Sequence, residues 1–432
     1  MSLTKLDYKD YVQLNYQPKK DELIAEFRVE PAGVSMREAA GAVAAESSIG
    51  TWTGLSTLTA KIVRTKQARV FDIDGGVVKI AYPQELFEKG NMPQILSSVA
   101  GNVFGMKIVN NLRLEDIRFP KSIVKSFKGP KYGIPGIRKL LRIPKRPLCG
   151  TIIKPKLGLN AAEHAKVAYN AWHGFGGLGI DIVKDDENLS SMTFNGFEKR
   201  VVATLKARDK AERETGERKI YMPNITAESR EMMKRAAFVK KHGGRYVMID
   251  ILTAGYSALQ MLRESDTGLV IHAHRAGHAM LTRNKRHGMS MLTVAKISRL
   301  IGVDQLHIGT AVGKMEGPKD EVMELSKAVE SGIVKPGKHL GQEWFGVKPV
   351  FSVCSGGLHP GHVPALVGIL GHDIIIQCGG GVHGHPRGTA HGACALRQAI
   401  NAVMLGKTLH DYAKSHAELA EALEHWKSKK TK

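Results

Sequence analysis

The chain has 432 residues, of which 43% are hydrophobic and 24% are charged. This length allows a large buried core and predicts two domains rather than one. The 63 basic residues outnumber the 41 acidic ones and give a net charge of +22, which favours anionic partners.

The composition also bears on location. The sequence has no N-terminal apolar leader and no apolar run near the roughly 18 residues that a membrane span needs. The four cysteines have no metal-binding spacing and fit a reducing compartment. We therefore expect a cytoplasmic protein without membrane contact.

The first 134 residues predict a small α+β domain. Residues 23–29 have the pattern of a strand, Met36–Glu46 that of an alanine-rich helix, and residues 70–81 that of a hairpin. Residues 92–100 predict a second helix. A stretch rich in glycine and proline, residues 128–136, predicts a linker, so we divide the chain into domains 1–134 and 135–432.

From residue 135 onward the pattern alternates between strands and helices. Eight apolar strand candidates separated by helical stretches fit a (β/α)8 TIM barrel better than an open sheet. The helix predicted for residues 411–426 ends the domain, followed by a basic tail. The predicted strands are residues 148–154, 179–184, 219–223, 245–251, 268–274, 304–308, 349–354 and 372–377.

Polar residues stand at the end of each predicted barrel strand. A barrel carries its chemistry at the C-terminal ends of its strands, and unpartnered buried lysines or histidines cost several kcal/mol, so core packing does not explain them. These residues predict a catalytic mouth. In strand order they are Lys154 with Lys156, Lys184 with Asp186 and Glu187, Asn224, Asp250, His272 with His274 and Arg275, His307, Ser355 with Gly356 and Gly357, and Gly379 with Gly380 and Gly381.

The second of these strands ends in a lysine followed by three acids, residues 184–187. Strand alternation places Lys184 and Asp186 on one face and Asp185 on the other. By itself such a cluster is typical of a solvated charge run. At the mouth of a barrel, the carboxylates of Asp186 and Glu187 instead predict a magnesium site, because magnesium prefers oxygen ligands.

The glycines after the last two strands predict phosphate binding, because backbone N–H groups without a neighbouring Cβ can approach phosphate oxygens. The alternative is that they only make tight turns. Arg275, His307 and Ser355 could hold a second anion across the mouth, as a substrate with two phosphates requires.

Two further segments have alternative interpretations. Residues 309–317 contain three glycines, with Lys314 near the tip, and predict a lid that brings a cation over the substrate. A flexible connection with an exposed lysine is the alternative. Six histidines between residues 359 and 391 match no zinc-binding spacing, and we interpret them as structural.

The motifs resemble those of the large subunit of ribulose-1,5-bisphosphate carboxylase/oxygenase (RuBisCO), most closely the archaeal form III, over nearly the whole chain. The matching segments are residues 44–48, 50–52, 101–105, 150–156, 184–187, 274–276, 309–314, 355–357 and 379–381. The resemblance implies a barrel enzyme that carboxylates ribulose 1,5-bisphosphate with carbon dioxide and water. The products are two 3-phosphoglycerates, and the activity of this carbon–carbon lyase includes a monooxygenase side reaction.

The resemblance also implies roles for particular residues. Carbon dioxide would convert Lys184 to a carbamate that joins Asp186 and Glu187 on magnesium and acts as the base that forms the enediolate. Lys154 resembles the general acid–base, with Lys156 as its neighbour. His274 resembles the histidine that handles protons at the C3 oxygen, and Lys314 the lid lysine that holds the new carboxylate.

The resemblance further assigns residues to substrate binding and to a subunit contact. Residues of the neighbouring subunit would complete the site, so the minimal active unit would be a homodimer, and no small subunit is expected. The substrate-binding set is Lys156, Arg275, His307, Lys314, Ser355, Gly356, Gly357, Gln377, Cys378, Gly379 and Gly380, and the residues given to the neighbour's site are Glu46, Thr51, Trp52 and Asn102.

Two other functions remain as alternatives. One is a RuBisCO-like enolase or isomerase of another sugar phosphate. The sequence argues against it, because it retains all four proposed catalytic residues, Lys154, Lys184, His274 and Lys314. The other is a polyanion-binding or nucleic-acid-binding protein, suggested by the charge of +22. We prefer the interpretation that this charge steers an anionic substrate or keeps an assembly soluble. The sequence leaves open whether the pathway is carbon fixation or nucleotide salvage.

Overall fold

The computed structural model describes residues 6–312 and 318–427, and its chain divides into two compact units. Unit 1 comprises the described part of Met1–Gly129 with Gly277–Ile301 and Ser331–Val347. Unit 2 comprises Pro130–Ala276, the described part of Gly302–Glu330, and Lys348 onward. The predicted boundary at residue 134 lies close to the first change of unit, but the periodicity did not indicate the two later returns to unit 1.

The strands range from two to ten residues in length. They are β1 Leu23–Pro31, β2 Arg69–Asp74, β3 Val77–Tyr82, β4 Val109–Arg118, β5 Leu148–Ile152, β6 Ile182–Lys184, β7 Ile220–Met222, β8 Tyr246–Asp250, β9 Val270–His274, β10 Gly288–Met289, β11 Gln305–His307, β12 Ile333–Val334, β13 Gln342–Glu343, β14 Phe351–Ser355 and β15 Ile374–Gln377.

The helices fall mostly between the strands, and short 3-10 turns add to them. The α-helices are α1 Met36–Glu46, α2 Ala60–Lys66, α3 Met92–Val99, α4 Lys121–Val124, α5 Gly133–Leu141, α6 Ala161–His173, α7 Phe197–Thr215, α8 Ser229–Lys241, α9 Ile251–Ala254, α10 Tyr256–Glu264, α11 Ala279–Thr282, α12 Met291–Ile301, α13 Lys319–Glu330, α14 Val363–Leu370, α15 Gly380–His383, α16 Thr389–Met404, α17 Leu409–Ala413 and α18 Ala417–Lys427. None of the described helices is both long and apolar enough to cross a lipid bilayer.

Unit 1 is built on a five-stranded mixed sheet in the order β10-β4-β1-β3-β2. All neighbouring strands are antiparallel except β10, which pairs parallel with β4 through Gly288–Met289. This pairing explains why a segment from the second half of the chain belongs to unit 1. The predicted strand, helix and hairpin of this region are confirmed at β1, α1 and β2–β3.

The sequence pattern did not predict β4, because this strand carries charged residues into the interior. Arg113 is buried and its Nε donates to Glu115 at 3.0 Å. Asp116 is also buried, 2.6 Å from the Nζ of Lys296 on α12. Paired charges replace the apolar alternation by which a strand is usually recognised.

Unit 2 is the predicted (β/α)8 barrel. Its eight parallel strands follow the order β7-β6-β5-β15-β14-β11-β9-β8, and a parallel bridge between Asn224 and Met248 closes the ring. All eight predicted strands are present, although most are shorter than predicted. The fold class, a TIM barrel with a smaller α+β domain, is thereby confirmed.

The linker predicted for residues 128–136 is wrong at its C-terminal half, where α5 begins at Gly133. The first turn of a helix has no internal partners for its N–H groups, so Pro135 is tolerated there. Ile137 and Leu141 are buried in the apolar cluster formed by the barrel strands. The carboxylate of Asp304 accepts hydrogen bonds from the backbone N–H groups of Tyr132 and Gly133 and fixes the start of α5.

The single helix predicted for residues 411–426 is also wrong, because the structure has two helices, α17 and α18. Thr408 caps α17 by accepting from the Asp411 N–H, which starts the helix earlier than predicted. Between the helices, Nδ1 of His416 donates to the Tyr412 carbonyl at 2.7 Å. Such local side-chain bonds take backbone acceptors that a continuous helix needs.

Candidate active site

Lys184 is the last residue of β6 and lies buried at the C-terminal end of the barrel. Its Nζ donates to the Asp185 carbonyl at 3.0 Å and lies 3.3 Å from the sulfur of Met248. Burial lowers the pKa of Lys184, although the nearby carboxylates, Glu187 first, act against this shift. Burial therefore shifts this amine toward its neutral form, which is nucleophilic.

Two carboxylates stand next to this amine. Asp186 accepts a hydrogen bond from Lys154 Nζ at 2.7 Å, and Glu187 Oε2 lies 4.0 Å from Lys184 Nζ. Burial raises the pKa of Asp186, but the hydrogen bond and charge of Lys154 outweigh burial, so the pKa is lowered and the group stays ionised. Lys156 Nζ lies 4.0 Å from the other oxygen of Glu187. The structure thus brings together all five of these predicted residues.

This donor set fits a hard cation only in part. Asp186 and Glu187 offer ionised oxygens, whereas Lys184 as an amine offers none. Among the described residues, no group of three or more His, Cys, Asp and Glu side chains has metal-binding geometry. Conversion of the Lys184 amine to an anionic oxygen donor would complete a three-residue oxygen site.

Asp185 points away from this group, as strand alternation predicts. It is fully buried and accepts hydrogen bonds from Arg200 Nε at 3.1 Å, Tyr221 OH at 2.7 Å and the Asn224 N–H at 3.0 Å. Burial raises its pKa, but the charge of Arg200, the nearby side chain of His164 and the Asn224 N–H outweigh burial and lower it. Asp185 therefore anchors the peptide between Lys184 and Asp186 from behind.

His274 ends β9 and faces Glu187 across the mouth. Its Nδ1 donates to Asp250 Oδ1 at 2.8 Å, so Nε2 carries the free lone pair of the neutral ring. This Nε2 lies 3.8 Å from Glu187 Oε2. The imidazole is thereby oriented to accept a proton at the centre of the mouth.

A second histidine pair is fixed by a chain of hydrogen bonds. His272 Nδ1 bonds Gln305 Oε1, an acceptor only, so His272 Nε2 must accept from His307 Nε2 at 2.8 Å. His307 Nδ1 then accepts from the Ser355 hydroxyl at 2.7 Å. Burial lowers the pKa of His272 to about 3 and that of His307 well below its ordinary value, so both rings are neutral. The hydroxyl oxygen of Ser355 keeps its lone pairs for other donors.

Arg275 lies beside the glycine that follows β11. A Cβ added at Gly309, where φ is +95°, would lie 2.8 Å from Nη2 of Arg275. Burial lowers the pKa of Arg275 to about 10, which leaves the guanidinium charged at neutral pH. The cation of Arg275 is therefore available to an anion near the ends of β9 and β11.

The glycines after β14 and β15 lie at the same end of the barrel. Gly356 and Gly357 have φ of +121° and +69°, which other residues rarely adopt. A Cβ at Gly379 would lie 3.3 Å from Cε of Lys154, so the second glycine loop passes close to this lysine. Gly380 begins the short helix α15.

Gln377 and Cys378 lead into the second glycine loop. Both are buried, and the N–H of Cys378 donates to the Gly150 carbonyl at 2.9 Å. The amide oxygen and nitrogen of Gln377 have no hydrogen-bond partner in the described part of the chain. Because buried amides are normally paired, Gln377 has capacity for a ligand.

Unit 1 holds the residues predicted to serve a neighbouring subunit. Glu46, Trp52 and Asn102 line one pocket of about 730 Å³, together with Tyr8 and Lys107. Trp52 is 84% exposed, and Thr51 precedes it without lining the pocket. Lys314 falls outside the described residues.

Residues that support the site were harder to predict than those that form it. Arg200 and Tyr221 lie in amphipathic or apolar stretches, and no spacing linked them to Asp185. The sequence did contain a signal for Gln305. It lies two residues before His307 in a predicted buried strand, so both side chains are on the same face of that strand. Several histidines after residue 358 make intramolecular contacts, such as His383 Nε2 with the Ile152 carbonyl and His385 Nε2 with the Glu418 carbonyl.

Comparisons with known proteins agree over nearly the whole chain. Residues 133–426 match the family model of the ribulose bisphosphate carboxylase large chain, catalytic domain, and residues 10–123 match the model of its N-terminal domain. Ribulose bisphosphate carboxylase of Methanosarcina mazei is 53% identical over 98% of this chain and all of its own length. That of Methanocaldococcus jannaschii is 52% identical over 97% of this chain and all of its own.

Solved structures give the same result. The dimeric archaeal Rubisco from Hyperthermus butylicus aligns with a TM-score of 0.92 and 48% identity over 98% of this chain and 99% of its own. The octameric Rubisco from Pyrococcus horikoshii aligns with a TM-score of 0.92 and 49% identity over the full length of both chains. This chain therefore belongs to the ribulose bisphosphate carboxylase large-chain family.

Proposed function

We propose that this chain is a magnesium-dependent ribulose-1,5-bisphosphate carboxylase that forms two 3-phosphoglycerates, with an oxygenase side reaction. The observation that carries the proposal is the buried amine of Lys184, whose pKa is lowered by burial and which lies beside Asp186 and Glu187. The names of the curated relatives support the same reaction. We also propose a cytoplasmic location.

Activation begins at Lys184 in this proposal. The neutral amine adds to carbon dioxide, a nitrogen–carbon bond forms, and the nitrogen loses one proton. The resulting carbamate supplies the oxygen ligands that the amine lacks and joins Asp186 and Glu187 as holders of magnesium. When bound there, magnesium would supply Lewis-acid polarisation of the carbonyl and hydroxyl oxygens of the substrate.

Proton movement is assigned to residues whose hydrogen bonds fix their orientation. His274 can take a proton at Nε2 because Asp250 holds the proton at Nδ1. Lys154 Nζ, on Asp186, is placed to deliver a proton from the opposite side of the mouth, beside Gly379. The carbamate of Lys184 is proposed as the base for the C3 proton.

The two phosphates are assigned to two separate groups of residues at the mouth. Arg275 and the Ser355 hydroxyl would hold one phosphate, and His307 would act through Ser355, because both of its ring nitrogens are engaged. The glycine N–H groups of residues 356–357 and 379–380, with the buried amide of Gln377, would hold the other.

We further propose that the active unit is at least a homodimer without a small subunit. Glu46, Trp52 and Asn102 converge on one pocket of unit 1, which is consistent with their serving the site of a second copy. Thr51 and Lys314 are assigned to the same completed site. The relatives of known structure are described as dimeric and octameric.

The direct test is incubation with ¹⁴C-bicarbonate, magnesium and ribulose 1,5-bisphosphate. We expect label in 3-phosphoglycerate. Absence of labelled phosphoglycerate would contradict the proposal, and consumption of the bisphosphate without label incorporation would favour an enolase or isomerase. Tight binding to duplex DNA that the bisphosphate does not displace would favour the polyanion-binding alternative.

Substitution of Lys184 by alanine tests the central role. Turnover should fall by more than about 100-fold, because one change removes a metal ligand and the proposed base. A carbamate signal in ¹³C NMR under ¹³CO₂ should be lost in the same variant. Lys166→Ala, at an exposed position on α6, is the matched control and should keep both turnover and signal. Substantial turnover by Lys184→Ala would contradict the carbamate role.

A further inference from the structure

The barrel has a basic pocket at the end opposite the candidate active site. The pocket encloses about 470 Å³ and is lined by residues just before β5 and β7, the end of α5, and α16. The N-terminal ends of parallel barrel strands share one face, and catalytic chemistry belongs to the other. Its size is within the range of small-molecule sites. None of the residues proposed for catalysis or substrate binding lines this pocket.

The floor of the pocket contains Arg146, Glu217 and Arg397, which belong to an ion-pair network that continues beneath it to Asp181 and Lys219. Arg146 makes two hydrogen bonds to Asp181, at 2.6 and 2.7 Å. Arg397 donates to Glu217 at 2.7 Å, and Lys219 Nζ lies 2.8 Å from the other oxygen of Glu217. These three cations face two carboxylates, so the network has one uncompensated positive charge.

The rim adds two cations without carboxylate partners. Arg142 and Lys145 both line the pocket and are exposed, and neither makes a salt bridge within the described ranges. The remaining basic residue, Arg218, is neutralised by Glu212 at 3.3 Å. The pocket therefore carries about three uncompensated positive charges, a field that attracts a multivalent anion.

The third feature is an apolar wall. Ile143, Pro144 and Met404 line the pocket beside the cations. Inorganic phosphate alone would leave this wall exposed to water, whereas an organic phosphate would cover it and gain hydrophobic free energy. A phosphate monoester is close to a dianion above pH 7, which suits the charge excess.

We propose that this pocket binds an organic phosphate monoester, with the phosphate between Arg142 and Lys145 and the organic group against Ile143, Pro144 and Met404. Arg146 and Arg397 remain on Asp181 and Glu217 and shape the floor. The site is independent of the proposed catalytic function and requires no turnover.

Phenyl phosphate is a suitable probe, because it combines a dianion with an apolar ring. Binding is measured by calorimetry and located by hydrogen exchange of the full chain, at pH 8 and low salt. We expect protection of amides in residues 138–147 and 395–405. Inorganic phosphate should bind this site at least tenfold more weakly, since it cannot cover the wall.

The decisive variant is the double substitution Arg142→Gln with Lys145→Gln, which removes the rim charges at exposed positions and leaves the floor intact. Protection of residues 138–147 should disappear and the affinity of this site should fall at least tenfold. Lys139→Gln is the matched control, because it removes one exposed charge from the preceding helix α5 at a position that does not line the pocket; it should bind like the wild type.

Two results would overturn the proposal. One is protection limited to segments at the catalytic mouth and unchanged in the double variant. The other is equal affinity of inorganic and phenyl phosphate at the pocket, which would reject an organic ligand class.

Discussion

At the scale of single residues, Asp185 shows how a side chain on one face of a strand positions the residues on the opposite face. Lys184 and Asp186 face the mouth, while Asp185 is buried on the other side with Arg200 and Tyr221. Three bonds to one carboxylate hold the backbone on both sides of it. Its role is positioning, since its carboxylate touches none of the proposed reacting groups and only its backbone carbonyl accepts from Lys184 Nζ.

We expect Asp185→Asn to lower the free energy of unfolding by about 3–5 kcal/mol, because it leaves the buried guanidinium of Arg200 without a counter-charge. The measurement is urea unfolding at constant pH. Asp209→Asn, which breaks a partly exposed pair with Arg208 on the same helix, should cost no more than about 1 kcal/mol. Equal losses in the two variants would contradict this account.

The proton positions in the histidine chain are another residue-scale result. The amide oxygen of Gln305 can only accept, so the ring proton of His272 is on Nδ1. His272 Nε2 therefore accepts from His307 Nε2, and His307 Nδ1 accepts from the Ser355 hydroxyl. The sequence indicated that His272 and His307 lie at strand ends. It could not indicate which nitrogen carries the proton, because this depends on partners from three different strands.

At the scale of elements, α5 shows why a glycine- and proline-rich stretch is not always a linker. Gly133, Pro135 and Gly136 are tolerated because the first turn has few internal bonds to lose. Ile137 is fully buried against the barrel strands. The tertiary contact therefore outweighs the low helix propensity of the stretch.

Ile137→Ala should lower the free energy of unfolding by about 2–5 kcal/mol, because it leaves a cavity among packed strand residues. Chemical denaturation of the two-unit chain, followed by a fluorescence or exchange probe in unit 2, measures this loss. The exposed neighbour Lys139→Ala should change the value by no more than about 0.5 kcal/mol. A loss no larger than that of the control would show that α5 is not packed as described.

At the scale of the whole molecule, buried carboxylates change the free energy of unfolding in two opposite directions as the pH falls. In Asp181 and Asp185 burial raises the pKa, but arginine partners outweigh it and lower the folded-state pKa below the unfolded value. They contribute stability above about pH 4 that is lost as the pH falls further. Burial raises the pKa of Asp116 to about 6, so this group favours the folded state as the pH falls from 6 to 4. Burial also raises the pKa of Asp304, which acts in the same direction.

We therefore expect the free energy of unfolding to fall gradually below about pH 6.5, where buried neutral histidines such as His272 and His307 favour the unfolded state, and to fall steeply below about pH 4. Protonation of the carboxylates also increases the positive charge beyond +22, and self-repulsion adds to the loss. Thermal or urea unfolding across pH 2.5–8 measures the profile. In Asp185→Asn the loss below pH 4 should be smaller, because one of its sources is already removed; an unchanged profile in this variant would contradict the assignment.

The sequence by itself determined the eight barrel strands, the order of polar residues around the mouth, and the family, because alternation and motifs are local properties of the chain. Only the tertiary structure decided the partners of Asp185, the chain from Gln305 to Ser355, the packing of α5, the return of residues 277–301 to unit 1, and the basic pocket. Each of these joins residues far apart in sequence. Their contacts depend on how elements pack, and no spacing along the chain encodes that directly.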